Sequence, residues 1–424
     1  MTAPPAPTLA RASPEVITFG CRLNALDSDA ARAAAAAAGL GEDVVIVNTC
    51  AVTGEAVRQA RQAIRRARRE RPQARIVVTG CAAQIEPEGF AAMLEVDRVL
   101  GNADKASSPA YARLFASPAR VQVSDVFAVA ETAPHLVGAA QTRTRAFVQV
   151  QTGCDHRCTF CVIPYGRGNA RSSPAGAVVE EVRRLARAGA PEVVLTGVDL
   201  TSWGGDLPGR PALGDLVARI LKLAPELPLL RLSSVDAVEL DPTLFRLVAE
   251  EPRVAPYLHL SLQHGHDLIL KRMKRRHLRA DAIELAQRLK AARPEIALGA
   301  DLIAGFPTEE EAHFEQSLSL IEEAGLAFVH VFPYSPRPGT PAAKMPQLPR
   351  ELVKARAERL RGAAREALRR HLQSWVGREA EALVEQPGSA RLADFTPVRL
   401  AGGEAGERRT LRFAAHDGEA LLAT

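Results

Sequence analysis

Residues 44–50 read VVIVNTC, and this stretch decides the fold of the first part of the chain. Its unbroken run of Val and Ile is typical of a strand that is buried on both faces of a parallel sheet. Similar runs stand at 16–19 and 76–79, with helix patterns at about 27–38 and 55–70 between them. Alternating strands and helices predict an α/β domain with a doubly wound parallel sheet.

Each of the three runs is followed closely by a cysteine, namely Cys21, Cys50 or Cys81, which we call the strand-end trio. The carboxyl ends of parallel strands lie along one edge of a sheet, where α/β proteins build their sites. These sequence-distant thiols are therefore predicted to meet. A single cysteine at a strand end is more often a small buried residue, but the same relation three times favours a shared site.

A second series of strands and helices follows the polar segment 141–145, where we expect a domain boundary. Strands are predicted at 146–151, 193–196, 229–233, 257–262, 296–303 and 327–332. Six βα units predict a partial (βα)6 barrel rather than a complete eight-stranded one. After a basic helix pattern, alternating residues with glycines at turns predict a small all-β module. The predicted domains are 14–135, 140–370 and 372–424.

The first strand of this series leads into CDHRCTFC at 154–161, whose cysteines we call the loop trio: Cys154, Cys158 and Cys161. Three thiolates on one loop can converge on a metal centre, and thiolates select zinc, copper(I) or iron–sulfur clusters. A structural zinc site needs four closed ligands. No fourth cysteine lies nearby, and His156 stands awkwardly between the first two. A cluster of four irons held by three thiolates instead leaves one iron open to another molecule.

The composition excludes several classes of protein. With 424 residues, 47% hydrophobic and 24% charged, the chain can bury a large core and is not disordered. No apolar run approaches the roughly 20 residues that span a bilayer, and the N-terminus has no signal-peptide pattern. We therefore expect a cytoplasmic protein without a membrane partner. In such a chain six cysteines favour metal binding or catalysis over disulfides.

The positive charge is gathered in three clusters, at 58–75, 271–279 and 356–370, and the net charge is +5. Clusters of this kind attract polyanions such as a nucleic-acid backbone. The alternative is that each cluster is the solvated face of an amphipathic helix.

The loop trio, with Phe160 before its last cysteine, resembles the radical S-adenosylmethionine (SAM) superfamily. From about residue 16 to 372 the chain resembles the methylthiotransferases of that superfamily. The matching segments are TFGCRLN (18–24), VNTCAVT (47–53), VVTGCAAQ (77–84), QTGCDHRCTFCVIPYGRGNARS (151–172), TGVDLTSWG (196–204), RLSS (231–234), LSLQHGHDLILKRMKRRH (260–277), DLIAGFPTE (301–309) and VFPYSPRPGTPAA (331–343). The C-terminal module resembles the RNA-binding TRAM domain of the family.

The resemblance implies two 4Fe-4S clusters and SAM. The loop trio, Cys154, Cys158 and Cys161, would be catalytic, holding a cluster whose open iron binds SAM and cleaves it to a radical. The strand-end trio, Cys21, Cys50 and Cys81, would hold the second cluster, whose open iron carries the sulfur. The radical would remove the hydrogen on C2 of an adenine, and a second SAM would supply the methyl group.

Within the family the chain is most similar to the branch that modifies N6-threonylcarbamoyladenosine at position 37 of tRNA, beside the anticodon. Two substrates of other branches stay open: isopentenyl-modified adenosine in tRNA, and an aspartate of a ribosomal protein. A remote alternative is a non-catalytic RNA-binding protein with structural zinc. The implied partners are the tRNA anticodon loop, a reductase or flavodoxin-type electron donor, and a sulfur source.

Further site residues are expected around SAM. Phe160 and four polar residues at predicted strand ends would bind the cofactor: Asp199, Ser233, Gln263 and Asp301. The alternative for the polar four is a structural hydrogen bond at the barrel mouth. Three histidines are expected on the loop surface rather than as ligands: His156, His264 and His266.

Overall fold

The computed structural model describes residues 13–129 and 144–424, which form two compact units. The first unit comprises 13–129 together with Val162–Asn169, and the second comprises 144–161 and 170–424. Most of the N-terminal leader and residues 141–143 of the expected boundary segment lie outside the described residues.

Within the described residues, the first unit is built on a five-stranded parallel sheet with the strand order β1-β2-β3-β4-β5. The strands are β1 (Glu15–Thr18), β2 (Val44–Thr49), β3 (Arg75–Gly80), β4 (Arg98–Leu100) and β5 (Val121–Gln122). The helices are α1 (Arg22–Ala37), α2 (Gly54–Glu70), α3 (Cys81–Ile85), α4 (Pro87–Ala91), α5 (Ser108–Leu114) and α6 (Ile163–Arg167).

Alternate side chains of β2 enter two different cores. Val44 and Ile46 pack with residues of α1 and α5, whereas Val45 and Val47 pack with residues of α2. Helices therefore cover both faces of the sheet, as the all-apolar run predicts. The predicted parallel α/β sheet is confirmed, and its strand order is sequential, without a reversal.

The first helix begins at Arg22, five residues before the sequence pattern suggests, and Cys21 occupies its N-cap position without a side-chain capping bond. A polar side chain caps the start of α2. The hydroxyl of Thr53 accepts from the backbone N–H of Ala56 at 3.1 Å, which satisfies a donor in the first turn of α2.

The second unit contains the predicted series of barrel strands. They are β6 (Ala146–Gln149), β7 (Gln151–Thr152), β8 (Arg171–Ser172), β9 (Val193–Thr196), β10 (Leu230–Leu232), β11 (Ser234–Val235), β12 (Tyr257–Gln263), β13 (Ala297–Ala304) and β14 (Phe328–Pro333). The helices are α7 (Ala175–Arg187), α8 (Leu213–Leu223), α9 (Pro242–Glu250), α10 (Asp267–Arg272), α11 (Arg279–Ala292), α12 (Glu311–Glu323) and α13 (Arg350–Gln373).

Seven of these strands form two parallel sheets, β10-β9-β6 and β11-β12-β13-β14, and β7 pairs with β8 in an antiparallel two-stranded sheet. Leu258, Leu260 and Leu298 pack in one core with residues of the helices. Since side chains alternate along a strand, His259 and Asp301 point to the opposite, inner side. This arrangement agrees with the predicted partial barrel.

The chain after α13 folds into a small closed barrel with the order β15-β16-β17-β19-β18, as the all-β prediction requires. Its strands are β15 (Glu379–Gln386), β16 (Ser389–Leu392), β17 (Pro397–Arg399), β18 (Arg408–His416) and β19 (Leu421–Ala423). Leu372 of α13 joins the apolar core of this barrel with Val384 and Phe413.

In the part of the chain that the structure describes, no helix combines the length and the apolar character that crossing a membrane requires.

Candidate functional site

The strand-end trio lies at the carboxyl ends of three neighbouring strands. Cys50 and Cys81 directly follow β2 and β3, and Cys21 follows β1 by three residues. Cys50 and Cys81 are buried, whereas Cys21 is exposed. Burial raises the pKa of Cys50 to about 11, and the nearby Cys81 and Cys21 add to the shift. The fold thus brings the three thiols to one edge of the sheet.

Two glycines permit this close approach. Gly20 and Gly80 adopt φ of +94° and +95°, a conformation that residues with a side chain rarely adopt. A Cβ at Gly20 would stand 2.6 Å from the Sγ of Cys50, and one at Gly80 would meet Asn48. Both cysteines that follow these glycines therefore depend on the absence of a side chain just before them.

Neither trio has the geometry of a single zinc ion. Ligands at about 2.3 Å from one zinc lie within about 4.6 Å of one another. Among the described residues, three ligand atoms lie mutually within 4.8 Å only in the groups Cys154–His156–Asp199 and His259–Asp301–His330. The three thiols of a trio do not form such a group. A larger iron–sulfur cluster does not require its thiolates to share one metal ion.

The loop trio is held by hydrogen bonds on both sides. The backbone N–H of Thr159 donates to Met273 O at 3.1 Å, and its hydroxyl donates to Arg272 O at 2.8 Å. On the other side, the amide oxygen of Gln151 accepts from the backbone N–H groups of Val198 and Asp199, both at 2.9 Å. The loop is thereby fixed to the ends of β7 and α10 and to the chain after β9.

The cysteines of the loop trio have opposite electrostatic surroundings. Burial raises the pKa of Cys154, and Asp199 adds to this, with the Sγ of Cys154 3.6 Å from Asp199 Oδ2. The pKa of Cys158 is lowered despite its burial, because His156 and Arg275 stabilise the thiolate. Arg275 Nη1 lies 3.7 Å from that sulfur. Thiolates are the metal-binding form, so Cys158 is poised as a ligand.

Arg275 is itself held in place by an acid. Its Nη2 donates to Asp236 Oδ2 at 2.6 Å and to the carbonyl of Ser261 at 2.7 Å. The sequence reasoning placed Arg275 only in a basic cluster and missed its contact with Cys158, which is 117 residues away.

The structure places the predicted SAM-binding residues as follows. Phe160 is partly buried against Met273 and Phe306. Asp199 lies beside the loop trio and 3.2 Å from His156. Ser233 directly follows β10, and Gln263 ends β12 with φ +68°.

Asp301 differs from its predicted position because it lies inside β13, three residues before the end of the strand. It accepts from His259 at 2.9 Å and from His330 at 3.2 Å, and its pKa is lowered by these bonds against the effect of burial. Neither histidine was predicted as its partner, because the three residues come together only through the pairing of β12, β13 and β14.

The surface position predicted for His264 is wrong. Its side chain is buried and bonds to the equally buried Glu309 at 3.0 Å. His266 is half-buried and accepts from the backbone N–H of Leu268 at the start of α10, and His156 lies near Asp199.

Several arginines of the basic clusters pair with acids on their own helices. On α2, Arg58 contacts Glu55 at 2.6 Å and Arg66 contacts Glu70 at 2.7 Å. On α13, Arg365 contacts Glu358 at 2.8 Å. Such exposed pairs are typical of solvated helix faces.

Two family profiles match the chain. Residues 148–321 match the profile described as Radical SAM superfamily, and residues 14–101 match Uncharacterized protein family UPF0004. The first match contains the loop trio and the second contains the strand-end trio.

Two known proteins are similar to nearly the whole chain. Threonylcarbamoyladenosine tRNA methylthiotransferase MtaB of Rickettsia prowazekii (strain Madrid E) is 49% identical over 386 residues, which cover 91% of each chain. The tRNA-2-methylthio-N(6)-dimethylallyladenosine synthase of Erythrobacter litoralis (strain HTCC2594) is 36% identical over 397 residues, 90% of this chain and 88% of that protein.

A solved structure supports the fold. The radical S-adenosylmethionine methyltransferase TsrM from Kitasatospora setae, with tryptophan substrate and a SAM analog bound, matches with a TM-score of 0.52 and 17% identity. The match covers 72% of this chain and 65% of that chain, which is less than two thirds of its length. At this identity the likeness concerns the fold alone.

Proposed function

Because the chain belongs to the methylthiotransferases of the radical SAM superfamily, we propose that it inserts sulfur and a methyl group at C2 of N6-threonylcarbamoyladenosine at position 37 of tRNA. The observation that carries this proposal is the presence of two separate cysteine trios, one at the carboxyl ends of the parallel strands β1, β2 and β3 and one on the loop that follows β7. A methylthiolation needs two reactive centres, one that activates the substrate and one that delivers sulfur.

The loop trio would hold a 4Fe-4S cluster and the strand-end trio a second one. When bound, these clusters and SAM supply the radical that activates C2, the inserted sulfur and the methyl group. The chain's own residues prepare the sites. Arg275 and His156 favour the thiolate of Cys158, and the bonds of Thr159 and Gln151 fix the loop.

SAM would be bound by side chains on the inner side of the barrel. Asp199 lies next to Cys154 and offers a carboxylate for an amino group or a hydroxyl. Ser233, Gln263 and Asp301 offer further polar groups, and Phe160 an aromatic edge. We also retain as proposals the domain boundaries 14–135, 140–370 and 372–424, the cytoplasmic location, and a reductase or flavodoxin-type electron donor with a separate sulfur source.

The choice of substrate rests on sequence likeness. Identity is 49% to the relative named for threonylcarbamoyladenosine and 36% to the relative named for dimethylallyladenosine. The motifs GCRLN and TGVDLTSWG point to the same branch. No described contact favours a ribosomal-protein aspartate.

Mass analysis of tRNA nucleosides tests the substrate. A strain that lacks the gene should lose methylthio-threonylcarbamoyladenosine and keep the unmodified threonylcarbamoyladenosine, and a copy of the gene should restore the product. If the deletion removes only a methylthio-isopentenyl nucleoside, the chain acts on the other tRNA substrate. An unchanged profile of both nucleosides contradicts a tRNA substrate.

Metal analysis separates the enzyme from the zinc-binding alternative. After anaerobic reconstitution, the purified chain should be brown and hold about eight irons, four for each cluster. A colourless chain with about one or two zinc ions would support the non-catalytic RNA-binding protein.

A further inference from the structure

A fully buried group of three charges lies beside the strand-end trio in the first unit. The side chains of Asp27, Lys105 and Arg167 are only 1%, 3% and 4% exposed. One carboxylate oxygen of Asp27 accepts from Lys105 Nζ at 2.5 Å and from Arg167 Nη2 at 2.6 Å. The proposed chemistry gives none of these three residues a role.

Two asparagines connect the cations to Cys81. Asn102 accepts from Lys105 Nζ at 2.6 Å, and its Nδ2 lies 3.8 Å from the Sγ of Cys81. Asn24 accepts from Arg167 at 2.7 Å, and the same oxygen lies 4.0 Å from that sulfur. Each cation is therefore separated from the thiol by a single amide side chain.

The charges of the group do not cancel. The carboxylate of Asp27 balances one of two cations, and these cations hold its pKa at about 2 in spite of burial. Burial lowers the pKa of Lys105, and Asp27 opposes that shift. The next electrostatic neighbours of Arg167 are Cys81 and Cys21. Two cations and one carboxylate thus lie within one amide side chain of Cys81, and a buried positive charge favours negative charge close by, on the side of the thiols.

We propose that Lys105 and Arg167, oriented by Asp27, supply the positive charge that stabilises an anionic iron–sulfur centre on Cys21, Cys50 and Cys81. The inference rests on the proposed function, since it takes a cluster as the occupant of that trio. A cluster held by thiolates is anionic, and reduction adds one more negative charge, so a fixed positive charge nearby favours the reduced form. Lys105 and Arg167 are thus positioning residues that set the reduction potential of this centre.

A purely structural role is the competing explanation. Asp27 lies on α1 and Arg167 on α6, so the ion group also ties two helices of the first unit together. A structural tie and an electrostatic role differ in one respect. If the group only holds helices together, every substitution weakens it, whereas a charge effect changes sign with the sign of the charge removed.

The test uses the full chain with Cys154, Cys158 and Cys161 all replaced by Ala, so that a cluster can form only on the strand-end trio. Its reduction potential is measured by an anaerobic redox titration followed by electron paramagnetic resonance. Lys105→Gln removes one positive charge and keeps an amide that can donate to Asp27 and Asn102. Asp27→Asn removes the negative charge and keeps an oxygen that can accept from both cations.

We expect Lys105→Gln and Asp27→Asn to shift the reduction potential of the cluster in opposite directions. At a fixed applied potential, Lys105→Gln should lower the ratio of reduced to oxidised cluster about tenfold, and Asp27→Asn should raise it about tenfold, which is about 59 mV for one electron. Lys105→Arg keeps the charge and should leave the ratio near that of the parent. Arg66→Gln is the matched control, because this arginine of the same unit is 72% exposed and screened by solvent.

Three results overturn the inference, and a second comparison is available if one variant does not fold. A loaded Lys105→Gln cluster with the parent's potential shows that the lysine does not act on the centre, and this result leaves the proposed function intact. Shifts in the same direction for Lys105→Gln and Asp27→Asn indicate a structural role only. If Asp27→Asn does not fold, the comparison of the reduction potentials of Lys105→Gln and Lys105→Arg decides between the electrostatic and the structural role. A parent chain that binds no iron overturns both the inference and the second-cluster assignment.

Discussion

The two cysteine trios of this chain contain the same number of thiols but are assembled in different ways. The loop trio comes from eight consecutive residues, 154–161, and needs only a loop that wraps around its centre. The strand-end trio spans residues 21–81 and needs a complete sheet before its thiols can meet. Both trios nevertheless have an arginine that is bound to a buried aspartate, Arg275 with Asp236 and Arg167 with Asp27, each at 2.6 Å.

This comparison shows that the charged groups next to a sulfur atom determine whether its pKa is raised or lowered. In the loop trio, Arg275 lies next to the sulfur of Cys158, and the pKa of that thiol is lowered. In the strand-end trio, Arg167 lies behind an asparagine, and the pKa of Cys50 is raised to about 11. The protein itself therefore favours the thiolate of Cys158, whereas Cys154 and Cys50 depend on the metal to release their protons.

Removing one cysteine from each trio should give the largest difference between them. Cys158→Ala should reduce SAM cleavage to background, since the loop trio would then have only two ligands. Cys50→Ala should leave SAM cleavage in place but stop methylthiolation of tRNA. Formation of 5′-deoxyadenosine and of the methylthio nucleoside, measured in the same reaction, checks both. Continued thiolation by the Cys50 variant would refute the second-cluster assignment.

The difference in pKa between Cys158 and Cys50 should appear as a difference in alkylation of the metal-free chain. The thiolate is the reactive form, so a lower pKa gives more thiolate at any pH below the ordinary cysteine value. At about pH 8, iodoacetamide should therefore modify Cys158 at least about tenfold faster than Cys50, although both are buried. Peptide mass spectrometry over a series of pH values measures both rates.

Arg275→Met provides the control for that experiment. Loss of the guanidinium should raise the pKa of Cys158 and slow its alkylation, while the rate at Cys50 should not change. If Cys50 reacts first, or if both rates respond equally to Arg275→Met, the pKa values of Cys158 and Cys50 do not differ in the way that their surroundings indicate.

The same contrast explains how far the sequence could predict the molecule. The strands could be predicted because uninterrupted apolar runs such as 44–47 stand between turn residues. The position of each cysteine then followed from the rule that parallel strands end at one edge. The charges around the thiols could not be predicted, because Asp27 and Arg167 are 140 residues apart and meet only in the folded unit.

His264 and Asp301 illustrate the same limit. His264 stands in the segment QHGH (263–266), which reads as a surface loop, and only the tertiary contact with Glu309, 45 residues away, explains its burial. Asp301 reads as a strand-end residue, yet β13 continues to Ala304, and its pairing with β14 brings His330 to the carboxylate. Local patterns show elements, whereas the partners of buried polar groups depend on strand pairing.

Substituting a glycine beside the strand-end trio should have a smaller effect. It should lower the free energy of unfolding, and the effect should be specific to the first unit. Gly80→Ala puts a Cβ 2.4 Å from Asn48 Oδ1 at a φ of +95°. We expect the free energy of unfolding to fall by about 2–4 kcal/mol. Gly362→Ala in the middle of α13 meets nothing within 4 Å and should instead raise it by about 0.5–1 kcal/mol. Urea unfolding followed by circular dichroism measures both, and a neutral Gly80→Ala would contradict the close packing of this edge.

The smallest expected effect concerns a single hydrogen bond of the loop trio. Thr159→Val keeps the shape of the side chain and removes the hydroxyl that donates to Arg272 O, so about 1 kcal/mol of loop stability should be lost. Because the loop is local, this loss should not spread to the sheet of the first unit. Iron should therefore leave the loop trio several times faster under a chelator, while the strand-end trio keeps its iron. Equal loss from both trios would show that the two centres do not form independently, and the contrast between a local and an assembled site would then fail.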